Sequence, residues 1–170
     1  FLTSNKNYKE LLNQFLILNV KNVVIHDKKF FNTAKQKFLS KKINVFNNIN
    51  DLKKKVKTKI DYTMCSISGL EGLKPTLEII SITKNVAIAN KESLICGWGL
   101  IKRSLKRYNT SFIPVDSEHF SIWSLIKNLP KNSVEEIIIT GSGGPFLDLP
   151  LNKFKNITPS SAIKHPNWSM

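Results

Sequence analysis

The sequence predicts an α/β fold in which helices cover both faces of a parallel β-sheet. Short β-branched and apolar runs alternate with amphipathic helical patterns at a spacing of roughly 25 residues, which is typical of consecutive βα units. The run at 85–89, Asn-Val-Ala-Ile-Ala, shows no alternation of polar and apolar residues. A strand without alternation is buried on both faces, as the inner strands of parallel sheets are.

The first part of the chain contains the first predicted βα units. Residues 1–3 form the end of a strand, and Asn7 can cap a helix that begins near Tyr8. The β-branched run at 23–25 is a second strand. The remaining segments of this part are helices at 29–39 and 49–56 and a strand at 43–46. Because the chain opens within a strand, we expect it to be a fragment of a longer protein.

The next part repeats the pattern. Strands are predicted at 60–67, 85–89 and 111–115, and helices at 73–83 and 91–108. Pro75 is compatible with the first turn of its helix.

Polar residues follow two of these strands directly. Parallel sheets bind ligands at the carboxyl ends of their strands. The segments Asn90-Lys91-Glu92 and Asp116-Ser117-Glu118 follow consecutive strands, so we expect them to share one edge of the sheet.

The segment Asp116-Ser117-Glu118-His119 has two interpretations. On an extended backbone, carboxylates at i and i+2 face the same way, and such a pair of hard oxygen donors suits Mg²⁺ or Mn²⁺. Alternatively, Asp116 or Ser117 caps the following helix, and Glu118 interacts with the positive end of that helix. Taken alone, the four residues leave both interpretations open.

The pattern changes beyond residue 126. A strand is predicted at 134–140, followed by the glycine-rich segment Gly141-Ser142-Gly143-Gly144. Backbone N–H groups in such a turn can approach a phosphate, although a plain flexible turn explains the glycines equally well. Thr158 is expected to cap a short helix that has Pro159 at its first position.

Composition limits the classes of partner. The chain carries 26 basic and 12 acidic residues, a net charge of +14, but Arg103 and Arg107 are the only arginines. Readers of nucleic acids depend strongly on Arg, so we expect no nucleic-acid partner and only a general attraction for anionic, phosphorylated ligands. Apolar runs are too short to span a bilayer, and we expect no membrane partner.

The two cysteines, Cys65 and Cys96, lie in apolar stretches without metal-type spacing. We interpret them as buried free thiols in a reducing compartment, which favours the cytoplasm over a secreted location.

Four motifs in this order resemble the 1-deoxy-D-xylulose 5-phosphate reductoisomerase family. They are Ala89-Asn90-Lys91-Glu92-Ser93, Pro114-Val115-Asp116-Ser117-Glu118-His119, Thr140-Gly141-Ser142-Gly143-Gly144-Pro145-Phe146 and His165-Pro166-Asn167-Trp168-Ser169-Met170. The resemblance covers the whole chain and is best after residue 84.

The resemblance implies a Rossmann-like NADPH-binding domain at 1–115 and the beginning of an α+β catalytic domain at 116–170. It also implies the family reaction, in which 1-deoxy-D-xylulose 5-phosphate is rearranged and reduced to 2-C-methyl-D-erythritol 4-phosphate for isoprenoid precursors. The implied cofactors are NADPH and Mg²⁺ or Mn²⁺, with Co²⁺ also possible. The implied full-length protein is a homodimer in the bacterial cytoplasm, with a plastid-type organelle as the alternative.

Site residues are carried over from the family by position. The resemblance implies metal binding by Asp116 and Glu118, and catalytic roles for Lys91, Glu118 and His165. Substrate contacts are implied for Lys91, Ser117, Glu118, Ser142, His165 and Trp168. Cofactor contacts are implied for Asn5, Lys6, Asn7, Asn90 and Glu92.

The chain departs from the family pattern at both ends. The family's glycine-rich turn would precede Phe1, and further phosphate-binding residues and a third acidic metal ligand would follow Met170. We therefore expect no appreciable turnover from this chain alone. A non-catalytic nucleotide-binding or scaffold domain and a basic nucleic-acid-binding module stay as the alternatives.

Overall fold

The computed structural model describes residues 1–38, 43–130, 132–139 and 144–164. The chain forms two compact units, Phe1–Ser124 and Leu125–Met170. The functional boundary predicted after residue 115 stays a prediction, and the first compact unit extends beyond it to Ser124. Among the described residues, no helix combines the length and the apolar character needed to cross a membrane.

The first unit begins with a parallel sheet of three strands in the order β1-β2-β3. Thr3 pairs with Val24, and Val23 with Val45. The strands are β1 (Leu2–Ser4), β2 (Asn22–Ile25) and β3 (Asn44–Phe46), and the helices between and after them are α1 (Tyr8–Leu18), α2 (Lys28–Phe38) and α3 (Ile49–Lys53).

A second parallel sheet follows in the same unit, with the order β4-β5-β6. Its middle strand pairs on both sides, Ala87 with Met64 and with Ile113. The strands are β4 (Ile60–Cys65), β5 (Thr83–Ile88) and β6 (Ser111–Pro114), and the helices are α4 (Leu73–Ile80), α5 (Lys91–Tyr108) and α6 (Ser117–Ile126). The alternation of strands and helices confirms the predicted α/β, Rossmann-like class.

Complete burial of the inner strands explains why their sequences do not alternate. Val86, Ala87 and Ile88 of β5 are inaccessible to solvent, and so are Val23–Ile25 of β2. In a parallel sheet both faces are covered by helices, so side chains on both faces of the strand are apolar. The larger core cluster joins β5 to α4 and α5 through Ile79, Ile80, Val86, Ile88 and Ile101.

Asparagine defines helix ends in this lysine- and asparagine-rich chain. The side chains of Asn7, Asn48 and Asn90 cap the starts of α1, α3 and α5 by accepting backbone N–H groups. Asn19 and Asn109 end α1 and α5 in the left-handed conformation, with φ of 49° and 48°. Asn adopts this conformation more readily than other non-glycine residues.

The second unit contains short helical segments in its described part. Two 3-10 helices occupy Gly144–Phe146 and Leu151–Asn156. The predicted short helix is present as α7 (Pro159–Ala162), with Thr158 as its cap and Pro159 at its first position. A capping box between Thr158 and Ser161 fixes its start.

The strand predicted at 134–140 is absent over the residues that the structure describes there. Residues 134–139 form no regular secondary structure, and residue 140 lies outside the described residues. The side chains of Ile138 and Ile139 are each 75% exposed. A β-branched run becomes a strand only when another strand pairs with it, and the described part of this unit offers none.

The prediction of two buried thiols is also only partly right. Cys65 at the end of β4 is partly buried, and burial raises the pKa of its thiol. Cys96 is exposed on α5, next to Ile95, whose side chain is 80% exposed. Cys96 and its neighbour Ile95 therefore lie on the outward-facing side of the helix.

Two isoleucines of α5 provide a matched test of this packing. Ile101 is fully buried in the larger core cluster, whereas Ile95 is 80% exposed. We expect Ile101→Ala to lower the free energy of unfolding by about 2–5 kcal/mol, the usual cost of truncating a buried aliphatic side chain. Ile95→Ala should change it by less than about 0.5 kcal/mol. Urea unfolding of both variants measures the difference, and equal losses would contradict the assigned orientation of α5.

Candidate active site

The candidate site lies where β5 and β6 end side by side. Ile88 at the end of β5 pairs with Pro114 at the end of β6, and each strand then leads into a helix. The ammonium Nζ of Lys91 in the first turn of α5 lies 3.4 Å from Oε2 of Glu118 in α6. This ion pair confirms that the two polar segments share one edge of the sheet, as their positions in the sequence predicted.

Asp116 uses one carboxylate oxygen to cap α6. Its Oδ1 accepts the backbone N–H of His119 at 3.2 Å and lies 2.6 Å from Nδ1 of the His119 ring. The side chain is only 4% exposed. The other oxygen, Oδ2, is buried and has no hydrogen-bond partner among the described residues. A buried carboxylate oxygen without a partner is costly, and a bound cation would satisfy it.

The cap and the metal are therefore compatible interpretations of the same residue. The prediction that Asp116 and Glu118 lie on an extended backbone was wrong, because Ser117 and Glu118 already belong to α6. Glu118 instead faces Lys91, and its Oε2 accepts the Ser117 hydroxyl at 2.8 Å. The carboxylates of Asp116 and Glu118 thus reach this edge from the start of a helix rather than from the end of a strand.

Both carboxyl groups have lowered pKa values. Burial acts to raise the pKa of Asp116, but hydrogen bonds from the ring and backbone of His119 and the charges of His119 and Lys91 bring it below its usual range. The pKa of Glu118 is lowered by its own backbone N–H, by the Ser117 hydroxyl and by Lys91. Both groups are consequently ionised at neutral pH, which is the form that binds divalent cations.

The donor set fits a divalent metal only in part. Asp116 and Glu118 supply the hard oxygen atoms that Mg²⁺ and Mn²⁺ prefer. Within the described residues no cluster of three or more His, Cys, Asp or Glu side chains could enclose an ion. These two carboxylates can therefore hold an ion only together with water, substrate oxygens or further ligands.

An apolar cavity of about 440 Å³ adjoins the carboxylates. The rings of Trp98 and Phe112 form part of its wall, with centroids 5.6 Å apart. The residues that line it are Lys91, Leu94, Ile95, Trp98, Phe112, Pro114, Asp116 and His119. Neither Trp98 nor His119 is among the site residues predicted from the sequence. The spacing of 91, 94, 95 and 98 on one face of α5 was the signal that could have identified this wall.

A second cavity, of about 750 Å³, lies where β1, β2 and β4 end. It contains the expected cofactor residue Asn5. The other residues that line it are His26, Ile67, Leu70, Glu71, Lys74 and Pro75. Lys6 and Asn7 are exposed beside Asn5, and Oδ1 of Asn7 caps α1 by accepting the N–H of Glu10 at 3.2 Å. A polar-rimmed cavity at this edge is where an open parallel sheet binds a nucleotide.

The two other expected cofactor residues differ in their surroundings. Glu92 is exposed in the first turn of α5, whereas Asn90 is only 5% exposed and its side chain bonds to backbone groups of the chain. Ser142, His165 and Trp168 lie outside the described residues. Their predicted roles stay predictions.

Family models match both parts of the chain. The model described as 1-deoxy-D-xylulose 5-phosphate reductoisomerase matches residues 1–98. The model of the C-terminal domain of the same enzyme matches residues 112–170.

The chain belongs to the 1-deoxy-D-xylulose 5-phosphate reductoisomerase family. A reductoisomerase from Pelagibacter ubique is 58% identical over 171 residues, which are 99% of this chain and 44% of that protein. The reductoisomerase of Zymomonas mobilis is 38% identical over 99% of this chain and 44% of its own length. The chain thus spans less than half the length of these relatives.

A solved structure shows the same fold. The reductoisomerase of Zymomonas mobilis in complex with NADPH superposes with a TM-score of 0.77 and 35% sequence identity, over 95% of this chain and 43% of that chain. The described arrangement of parallel strands and helices is therefore the one found in that reductoisomerase.

The interaction of His119 with Asp116 can be tested by titration. We expect His119→Ala to raise the pKa of Asp116, because the ring donates a hydrogen bond and contributes positive charge. A folded-state pKa below the unfolded one stabilises the fold above the unfolded pKa, and this contribution is lost as pH falls through the folded pKa. The variant should therefore lose part of that stabilisation at neutral pH.

Carboxyl ¹³C NMR across the acid range measures this pKa directly. His26→Ala serves as the control, because His26 follows β2 and lines the second cavity, whereas Asp116 lines the first. An Asp116 pKa that stays constant or falls in His119→Ala would contradict the assigned hydrogen bond.

Proposed function

We propose that this chain is part of an NADPH- and divalent-metal-dependent reductoisomerase that converts 1-deoxy-D-xylulose 5-phosphate to 2-C-methyl-D-erythritol 4-phosphate. Residues 1–115 supply most of the NADPH-binding domain, and residues 116–170 begin the catalytic domain. The observation that carries this proposal is the buried Oδ2 of Asp116, which has no partner among the described residues and lies beside the Lys91–Glu118 ion pair.

Asp116 and Glu118 are the proposed metal ligands. Mg²⁺ or Mn²⁺, with Co²⁺ as a further option, supplies Lewis-acid polarisation of the carbonyl and hydroxyl oxygens of the substrate. The role of Asp116 in this arrangement is to offer Oδ2 while Oδ1 keeps the start of α6 in place. Glu118 is held in its ionised form by Ser117 and Lys91.

Lys91 is the proposed electrostatic partner of the reacting oxygen. Its ammonium lies beside the carboxylate of Glu118 and on the wall of the apolar cavity. A positive charge in that position would stabilise a developing oxyanion. The Ser117 hydroxyl, which donates to Glu118, can instead donate to a substrate oxygen in the same place.

The cofactor assignment rests on the cavity at Asn5. Asn5, Lys6 and Asn7 would bind the adenosine 2′-phosphate of NADPH, and the solved relative from Zymomonas mobilis binds NADPH. Asn90 and Glu92 would lie nearer the hydride-donating end, since they adjoin Lys91. Hydride transfer to the rearranged substrate completes the proposed reaction.

The remaining assignments are proposed from the family resemblance. Ser142 would bind the substrate phosphate, His165 would contact the substrate, and Trp168 would lie on a flap that closes over it and excludes water. The substrate is a small phosphorylated sugar, and the full-length protein is proposed to be a homodimer in the cytoplasm of a bacterial cell.

Replacing Asp116 tests the metal assignment directly. We expect Asp116→Asn to weaken Mn²⁺ binding by at least about tenfold, the smallest loss that even an outer-shell partner of a metal gives, because the neutral amide loses the charge while it keeps the cap of α6. Water-proton relaxation at increasing Mn²⁺ concentration measures the affinity.

Asp27→Asn is the matched control for that measurement. Asp27 also caps a helix, accepting the N–H groups of Lys29 and Phe30 at 2.9 and 3.3 Å at the start of α2. Its replacement should leave Mn²⁺ affinity unchanged. Equal effects of the two substitutions would show that Mn²⁺ responds to surface charge alone and would refute the assigned ligand.

Measurements of product formation can test whether this chain holds the complete active site or only part of it. We expect the 170-residue chain to form no appreciable product and the full-length parent to oxidise NADPH when 1-deoxy-D-xylulose 5-phosphate and Mg²⁺ are present. The reason is that the resemblance places a third acidic ligand and further phosphate-binding residues beyond Met170. Product formed by the chain alone would contradict this expectation. A parent that binds NADPH without reducing the substrate would instead indicate a non-catalytic nucleotide-binding domain.

A further inference from the structure

The side chain of Asn90 joins two turns that are distant in sequence. Asn90 follows β5 and caps α5, where its Oδ1 accepts the N–H of Ser93 at 2.6 Å. Its amide Nδ2 donates to the carbonyl oxygen of Ile67 and, at 2.6 Å, to that of Gly69. One buried amide therefore caps a helix and at the same time holds the loop 66–72 that connects β4 with α4.

The glycines of this loop fit the same contact. A Cβ atom on Gly72 would lie 2.5 Å from the Ile67 carbonyl oxygen and 2.6 Å from Nδ2 of Asn90, so no larger residue fits there. Gly69 has a φ of +71°, which side chains rarely adopt. The backbone of the loop is thus folded closely around the Asn90 amide.

The loop 66–72 also forms a wall of the cavity at the ends of β1, β2 and β4. Ile67, Leu70 and Glu71 line that cavity together with Asn5. Ile67 and Leu70 are 37% and 57% exposed, so their aliphatic side chains are accessible to a ligand in that cavity. The width of the cavity between this wall and Asn5 depends on where the loop is held.

We propose that Asn90 is a positioning residue for nucleotide binding, which holds the loop 66–72 at the distance from Asn5 that the adenosine end of NADPH requires. This inference rests on the proposed function, and it adds a positioning role for the side chain to the cofactor contact proposed for Asn90. Both polar atoms of the side chain are already bonded to the backbone, so Asn90 acts through the loop.

Asn90→Asp separates the two tasks of the side chain. The carboxylate keeps an oxygen that caps α5, where a negative charge is favourable. Its second oxygen replaces the N–H donor, so it repels the carbonyl oxygens of Ile67 and Gly69 instead of bonding to them. The loop is then pushed from its position while the helix stays intact. Asn90→Ser provides a milder second variant, because Ser also caps helices and is too short to reach the two carbonyl groups.

The probe is adenosine 2′,5′-bisphosphate, titrated into the ¹⁵N-labelled chain and followed by amide shifts. We expect the wild-type chain to show shifts at Asn5, Ile67 and Leu70. Asn90→Asp should weaken binding about tenfold or more, and the uncharged Asn90→Ser should weaken it less while its Mn²⁺ affinity stays unchanged. A general loss of structure would weaken the binding of both the bisphosphate and Mn²⁺. A loss of affinity for the bisphosphate alone therefore indicates a positioning role rather than a folding defect.

Asn85→Asp is the control, since it removes a comparable bond between the same pair of strands. Its Nδ2 donates to the Asp61 carbonyl oxygen at 2.9 Å, near the opposite end of β4 and β5. Asn85→Asp should leave the affinity for adenosine 2′,5′-bisphosphate unchanged. Asn90 variants that bind the bisphosphate like wild type would overturn the inference and leave the NADPH assignment standing. A wild-type chain that shows no shifts at the cavity would overturn both.

Discussion

The parallel pairing of β5 with β4 and β6 is the constraint on which the candidate site depends. Val86, Ala87 and Ile88 are fully buried, and each neighbour of β5 pairs in parallel with it, so the three strands must end at the same edge. The loop after β4, the start of α5 and the start of α6 meet at this edge as a result. The ion pair between Lys91 and Glu118 and the bonds from Asn90 to the loop 66–72 then add the local geometry.

Sequence patterns predicted the strands, the helices and the shared edge because these depend on periodicity and chain direction. They could not predict the partners of Asn90, since Ile67 and Gly69 lie more than twenty residues away, and Ile67 was assigned only to the end of a strand. The two oxygens of Asp116 have different environments, which a motif of residue types cannot show. The run at 134–140 has the composition of a strand, but the described part of its unit provides no strand to pair with it.

The net charge of +14 and the charge arrangement at the site act over different distances. Most lysines are exposed and solvated, so their charge is screened within a Debye length and gives a general attraction for anions such as phosphorylated ligands. Lys91 differs because α5 begins there and directs the ammonium towards Glu118, next to an apolar wall. An ion pair that is more than half exposed adds little stability, so its value lies in placing a cation beside two carboxylates.

Asn90 and Lys91 are adjacent, and this adjacency links the two cavities of the first unit. Asn90 fixes both the first turn of α5 and the loop that lines the second cavity, and Lys91 extends from that same turn to the carboxylate edge. A shift of the helix start would therefore move that cavity wall and the Lys91 ammonium together. The proposed transfer of hydride from a nucleotide to a metal-bound substrate would require these positions to be set relative to each other within a fraction of an ångström. Setting both from one capped helix start meets that requirement with a single buried amide.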